Sequence, residues 1–192
     1  VSIVLARILV PEDYGVVSLI LVFIAFADVF VTSGFSTSLI QKRDATDVDF
    51  STIFYCSLFV SIIIYVILFF SAPYIATFFG MPALSSILRA FSLRIPISAF
   101  NSVQHAYVSR NMLFRKFFFS TLWGPLLSGV LGIVAAYLGM GAWALIIQYM
   151  SNTIVDTIVL SFTIKWRPKL VFSITSAKKL MQYGWKILLA DL

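Results

Sequence analysis

Charge is scarce in this chain. Only 11% of its 192 residues are Asp, Glu, Lys or Arg, against about 25% in an ordinary soluble domain. A surface so poor in charge excludes a globular domain wetted on every side. Cysteine is reduced to Cys56, so no internal disulfide can form. Histidine is reduced to His105, which leaves no His/Cys cluster to hold a metal. There is no Gly-x4-Gly-Lys loop for nucleotide phosphates. No metal and no cofactor are therefore expected. Asn-x-Ser/Thr is also missing, and no basic region precedes the first apolar residues as it would in a cleavable signal peptide.

What is present is hydrocarbon. The chain is 60% hydrophobic, with a mean hydropathy of +0.99, 19 Phe and eight Tyr. That composition suits helices facing lipid, with aromatic rings at the interfaces. The organising stretch runs from Ala6 to Asp44. An apolar segment ends near Val10 and turns through Pro11-Glu12-Asp13-Tyr14-Gly15. A second segment, Val16 to Ile40, follows, with Asp28 its one charge. Its 25 residues would span roughly 37 Å as a helix, enough to cross a bilayer core of roughly 30 Å.

The same pattern repeats, so an all-α, polytopic transmembrane bundle is expected. Further helices are predicted over Phe50 to Phe70, with Pro73 near the end, and over Ala83 to Ser109, interrupted at Pro96. Two more follow over Phe117 to Tyr137 and Ala142 to Ile164. The domain reading is a six-helix lobe over 1–164, its first helix truncated, then a basic loop over 165–184, then the start of a seventh helix over 185–192. Within that loop, Ile174, Ala177, Leu180 and Met181 recur at helical spacing, which fits an amphipathic helix at the headgroups over Ser173 to Tyr183. Val1 and Leu192 both fall inside apolar segments, so the chain reads as a piece of a longer protein.

Charge asymmetry orients the bundle. The net charge of +6 is gathered on alternate loops. These hold Lys42 and Arg43, then Arg110, Arg115 and Lys116, then Lys165, Arg167, Lys169, Lys178 and Lys179. The intervening turns at 11–15, 80–82 and 139–141 hold no cation. The positive-inside rule places the ten loop cations and the N-terminus in the cytoplasm. A basic surplus that serves topology gives no reason to expect nucleic acid.

Polar residues interrupt the apolar spans in stripes. Arg94, Ser98, Asn101 and His105 share a face of the fourth helix. Gln148, Asn152 and Asp156 recur every four residues in the sixth, and Asp28, Thr32 and Ser36 in the second. Asp28, Arg94 and Asp156 facing lipid would together cost about 8–10 kcal/mol, comparable to the whole stability of a domain. They must face one another or water. Pairing of Arg94 with Asp28 or Asp156 is one solution. A hydrated cavity for a polar substrate is the other, and the hydroxyls and amides along the same faces favour it. In the fifth helix Ser120, Gly124, Ser128, Gly132 and Ala136 form a small-residue stripe suited to close helix packing. Arg7, at the outer end of the first helix, is either a snorkelling anchor or an anion site.

These residues carry a resemblance. Ala6-Arg7-Ile8-Leu9-Val10-Pro11-Glu12-Asp13-Tyr14-Gly15 resembles the A-R-x-L-x-P-x-D-Y-G opening of bacterial polysaccharide flippases. That oligosaccharide flippase family belongs to the multidrug/oligosaccharidyl-lipid/polysaccharide exporter superfamily. Gly34-Phe35-Ser36-Thr37-Ser38-Leu39-Ile40-Gln41, Trp143-Ala144-Leu145 and Trp166-Arg167-Pro168 are similar to it as well. The resemblance implies an N-terminal lobe of a two-lobe, alternating-access transporter in the bacterial inner membrane. Its substrate would be an undecaprenyl-diphosphate-linked oligosaccharide moved from the inner to the outer leaflet, with membrane lipids and polysaccharide assembly proteins as partners and no enzymatic step. Arg7 matches an arginine that relatives set against the diphosphate. The expected substrate-binding residues are Arg7, Arg94, Asn101, Gln148 and Asn152, with Asp28 and Asp156 as ion-coupling groups. The alternatives are a drug or cation antiporter of the same superfamily, or a membrane glycosyltransferase or polymerase.

Overall fold

The computed structural model describes residues 1–33, 39, 46–112, 114–164, 166–174 and 176–178, excluding the side chains of residues 2, 32–33, 114–117 and 119–121. Every element among them is helical: α1 (Ser2–Ile8), α2 (Pro11–Asp28) continued by a π-helical turn (Val29–Ser33), α3 (Asp47–Phe78), α4 (Pro82–Ser92), α5 (Arg94–Arg110), α6 (Phe114–Tyr137) and α7 (Ala142–Thr163). Four segments of the described residues are long and apolar enough to cross a bilayer: Pro11–Val31, Asp47–Phe78, Pro82–Arg110 and Ala142–Thr163. The expected loop at Lys42 and Arg43, Ser36 of the second stripe, Lys165, Lys179 and the seventh helix lie outside the described residues.

Prolines account for three departures from the sequence reading. The second helix begins at Pro11 rather than Val16, because a proline at the first helical position gives up only an N–H that would have no partner there anyway. Its α geometry ends at Asp28 and widens into the π turn. The third helix does not stop near Phe70. It continues through Pro73 to Phe78. Pro73 cannot donate to the Phe69 carbonyl four residues back, and Arg89 Nε donates to that carbonyl instead, at 3.1 Å. The Arg89 guanidinium also lies 4.7 Å from the centre of the Phe69 ring. In the fourth span the break falls at Leu93, between α4 and α5, one turn before Pro96. Pro96 crowds the Ser92 carbonyl and has no N–H for it, so Ser92 ends the helix.

The uncharged turns are helix terminations built on glycine. Gly80 and Gly139 both have positive φ, at +66° and +74°. After α3, Met81 N–H reaches Ala76 O and Gly80 N–H reaches Thr77 O. After α6, Met140 N–H reaches Ala135 O and Gly139 N–H reaches Ala136 O. Both are Schellman closures, which fold the last carbonyls back onto the chain.

The small-residue stripe does what its spacing predicts. The α6–α7 pair makes the most extensive helix contact. A Cβ at Gly132 would lie 2.8 Å from Gln148 Cβ, and one at Gly124 2.7 Å from Asn152 Oδ1. Outside, Phe59, Ile62, Ile63, Val66, Ile67 and Phe70 of α3 are exposed, as expected of a helix whose outer face meets lipid tails.

Two apolar clusters fill the interior. One joins Leu5, Ile20, Ile24, Leu84, Leu88, Phe91, Ile95 and Ala99. The other joins Phe50, Ile53, Phe54, Val103, Ala106, Leu160, Ile164 and Trp166. On α5 the first cluster ends at Ala99 and the second begins at Val103. Asn101 and Ser102 lie in the stretch between them.

Candidate functional site

Arg94 opens α5 directly after the break at Leu93, and its guanidinium joins three spans. Nη1 donates to Asp28 Oδ2, at the end of α2, over 3.3 Å. Nε donates to Thr153 Oγ1 of α7 over 3.0 Å. Thr153 can accept because its own proton goes to the Tyr149 carbonyl. The Phe91 ring lies 5.7 Å from the guanidinium carbon. Asp28 is thus an ion-pair partner of Arg94. The two side chains keep 27% and 22% of their surface exposed, so the pair sits in a wall and is not sealed in a core.

Asp156 is served by the next turns of α5. Its Oδ2 accepts a short hydrogen bond from Asn101 Nδ2 and one of 2.9 Å from His105 Nε2. One turn on, Gln104 Nε2 donates to Ser161 Oγ. Asn101 Oδ1 and Gln104 Oε1 are buried without a hydrogen-bond partner among the described residues.

Between these groups lies a cavity of about 380 Å³. Its lining is Arg94, Ser98, Asn101, Ser102, His105, Ala106 and Ser109 of α5 with Asn152, Thr153 and Asp156 of α7. Arg94 and Ser109 are 15 residues apart, so the lining extends roughly 22 Å along α5. It ends beside Arg110, the last residue of α5.

The expected site residues divide. Arg94, Asn101, Asn152 and Asp156 line one cavity, and Asp28 joins them through Arg94. Gln148 is not in that lining; its side chain packs on Gly132. A spacing of four overshoots a 3.6-residue turn by about 40° each time, so the stripe rotates out of the cavity before it reaches Gln148. The same rotation brings in Thr153, which lies three residues before Asp156 and which a strict spacing of four passes over. Arg7 is exposed at the end of α1 and is not part of the lining. The Thr32 side chain and Ser36 lie outside the described residues. No group of three or more His, Cys, Asp or Glu that could hold a metal occurs among the described residues.

The fold and this polar seam define an all-α, multi-pass membrane protein. The chain belongs to a family described as polysaccharide biosynthesis protein, whose pattern it matches over residues 4–192. It is 28% identical over 182 residues to the succinoglycan biosynthesis transport protein ExoT of Rhizobium meliloti, covering 95% of this chain and 37% of that protein. It is 24% identical over 183 residues to the lipopolysaccharide biosynthesis protein WzxC of Escherichia coli, covering 94% and 37%. It is 26% identical over 168 residues to the teichuronic acid biosynthesis protein TuaB of Bacillus subtilis, covering 83% and 33%. The chain thus spans about a third of the length of these relatives. No solved structure matches it.

Proposed function

We propose that the full-length protein is a flippase. It carries an undecaprenyl-diphosphate-linked oligosaccharide from the inner to the outer leaflet by alternating access, without covalent chemistry. The family and the names of its relatives support the class of substrate. The observation that carries the reading is the polar cavity between α5 and α7, lined from Arg94 to Ser109 toward the end of α5 that bears Arg110. By the positive-inside rule that end is cytoplasmic, where a lipid-linked sugar would be loaded. Two-lobe transporters of this kind place their site between lobes near the bilayer midplane.

In this reading the lipid tail stays in the bilayer while the diphosphate and sugars enter the cavity. Arg94 meets the diphosphate, and Asn101 and Asn152 meet sugar hydroxyls. Asn101 Oδ1, buried at the wall and without a hydrogen-bond partner among the described residues, is an acceptor that a sugar hydroxyl would reach as the wall opens. Arg7, at the far end of α1, serves the diphosphate at a different stage of the cycle. Asp156, held by Asn101 and His105, and Asp28 are the candidates for ion coupling. One charge moved across 100 mV supplies about 2.3 kcal/mol. Rates that respond to neither membrane potential nor a pH gradient would eliminate that coupling.

The test is a leaflet assay. Full-length protein is reconstituted with a fluorescent lipid-diphosphate oligosaccharide, and protection from an external glycosidase is followed. Arg94→Gln should slow translocation, and Arg7→Gln should do so independently. Unchanged rates in both variants, together with cation-driven efflux of a drug, would replace the flippase reading with the antiporter one.

A further inference from the structure

We propose a second binding site, separate from the central cavity, for the phosphodiester of an anionic membrane lipid. It lies where α3 begins and where α5 and α7 end, so it sits at headgroup level on the bilayer surface. A cavity of about 380 Å³ is lined there by Asp47, Tyr107, Trp166, Arg167, Pro168 and Lys169. The Trp166-Arg167-Pro168 motif thus forms one wall of a pocket.

The chain beyond α7 is fastened in place. Pro168 favours extended backbone at Arg167. Lys169 N–H donates to Ser51 Oγ at 3.1 Å, and Ser173 N–H donates to Thr52 Oγ1 at 3.1 Å. Trp166 stacks on Tyr107 with centroids 6.0 Å apart, and Phe50 packs against both rings. Trp166 is 7% exposed, and its indole N–H has no hydrogen-bond partner among the described residues.

The charges in this wall suit an anion. Arg167 uses Nη1 on the Ile164 and Trp166 carbonyls, which fixes the guanidinium at the pocket while its fork has further donors to offer. Lys169 Nζ pairs with Asp47 Oδ2 at 2.8 Å, and both side chains are more than half exposed. A phosphate oxygen can therefore compete for Lys169 with an ion pair that is weak in water. Two cations against one carboxylate leave the pocket positive.

The neighbouring residues favour a lipid over soluble phosphate. Leu170, Phe172 and Ile174 are 94%, 54% and 76% exposed, directly after the cations and outside any transmembrane helix. Apolar side chains displayed beside cations match an acyl boundary beneath charged headgroups. The site requires only that these helix ends lie at a bilayer surface. It is independent of what the transporter carries.

Native mass spectrometry of the full-length protein, released from phosphatidylglycerol or phosphatidylcholine nanodiscs, tests the proposal. The wild type should retain phosphatidylglycerol roughly tenfold better than phosphatidylcholine. Arg167→Gln with Lys169→Gln should abolish that preference. Trp166→Phe, which keeps an aromatic side chain against Tyr107 and Phe50 and removes the N–H, should weaken it and decides the matter if the double variant does not fold. Lys178→Gln, at an exposed cation outside the pocket, should leave it intact. Equal retention by the wild type and the folded variants would overturn the proposal. Inorganic phosphate held by the wild type without anionic lipid, and lost in the same variants, would assign the pocket to a soluble ion and overturn the lipid assignment.

Discussion

Asp13 Oδ1 accepts a hydrogen bond from the Ala142 N–H at 2.9 Å, across 129 residues of sequence. A carboxylate in the first turn of α2 thereby caps the start of α7. Two stretches noted separately in the sequence, Pro11-Glu12-Asp13-Tyr14-Gly15 and the one around Trp143-Ala144-Leu145, meet at this bond. Gly141 makes room for it, since its φ is +55° and a Cβ there would lie 3.0 Å from the same oxygen. An anion at a helix N-terminus satisfies a donor that has no partner within the helix and also complements the dipole. Asp13→Ala should lower stability by about 1 kcal/mol, and Asp13→Asn by less. Thermal unfolding of the full-length protein in detergent measures both.

The Arg89–Phe69 bond gives a sharper test. Arg89→Leu strands the carbonyl that Pro73 already leaves without a helical donor, at a cost of about 1–3 kcal/mol. Pro73→Ala restores the N–H four residues along. The double variant should therefore recover most of the loss. Additive penalties in this cycle would show that the bond does not stabilise the third span.

Glycine substitutions on α6 should differ from one another. Gly132→Ala meets Gln148 Cβ at 2.8 Å, close to the α7 backbone, so the helices must part; a loss of about 1–3 kcal/mol is expected. Gly124→Ala comes too close only to the side-chain oxygen Asn152 Oδ1, at 2.7 Å, with the Asn152 carbonyl at an ordinary 3.6 Å, and a rotation of that amide relieves it. Gly124→Ala should be the milder variant in stability, yet it moves a residue of the cavity lining. Thermal shift and translocation rate, measured on both variants, separate the two effects.

Arg94 and Asp28 should be coupled in stability and uncoupled in transport. Arg94→Gln leaves a carboxylate in the wall without its arginine and should destabilise by about 2 kcal/mol, less than a fully buried pair because both side chains are partly exposed. Adding Asp28→Asn should restore much of that stability. It should not restore translocation, which is expected to stay about tenfold or more below wild type, as for loss of a hydrogen bond to a charged group. Recovery of both together would mean that Arg94 serves the fold alone.

The sequence by itself determined the solvent, the helical class and the polar seam. Long apolar runs leave backbone groups no partner but their own helix, and ionisable residues within such runs must find partners or water. Arg94, Asn101 and Asp156 could be selected on those grounds without coordinates, and the glycine stripe could be read as packing. Tertiary structure decided what depends on rotation about a helix axis and on distant donors. It paired Arg94 with Asp28 and gave Asp156 to Asn101 and His105. It turned Gln148 onto Gly132 and brought Thr153 to the arginine. It also carried α3 through Pro73, because Arg89, twenty positions from Phe69, supplied that carbonyl with the missing donor. Local spacing fixes which residues share a helix face to within about 40°; the neighbour that face meets is set by how the spans pack.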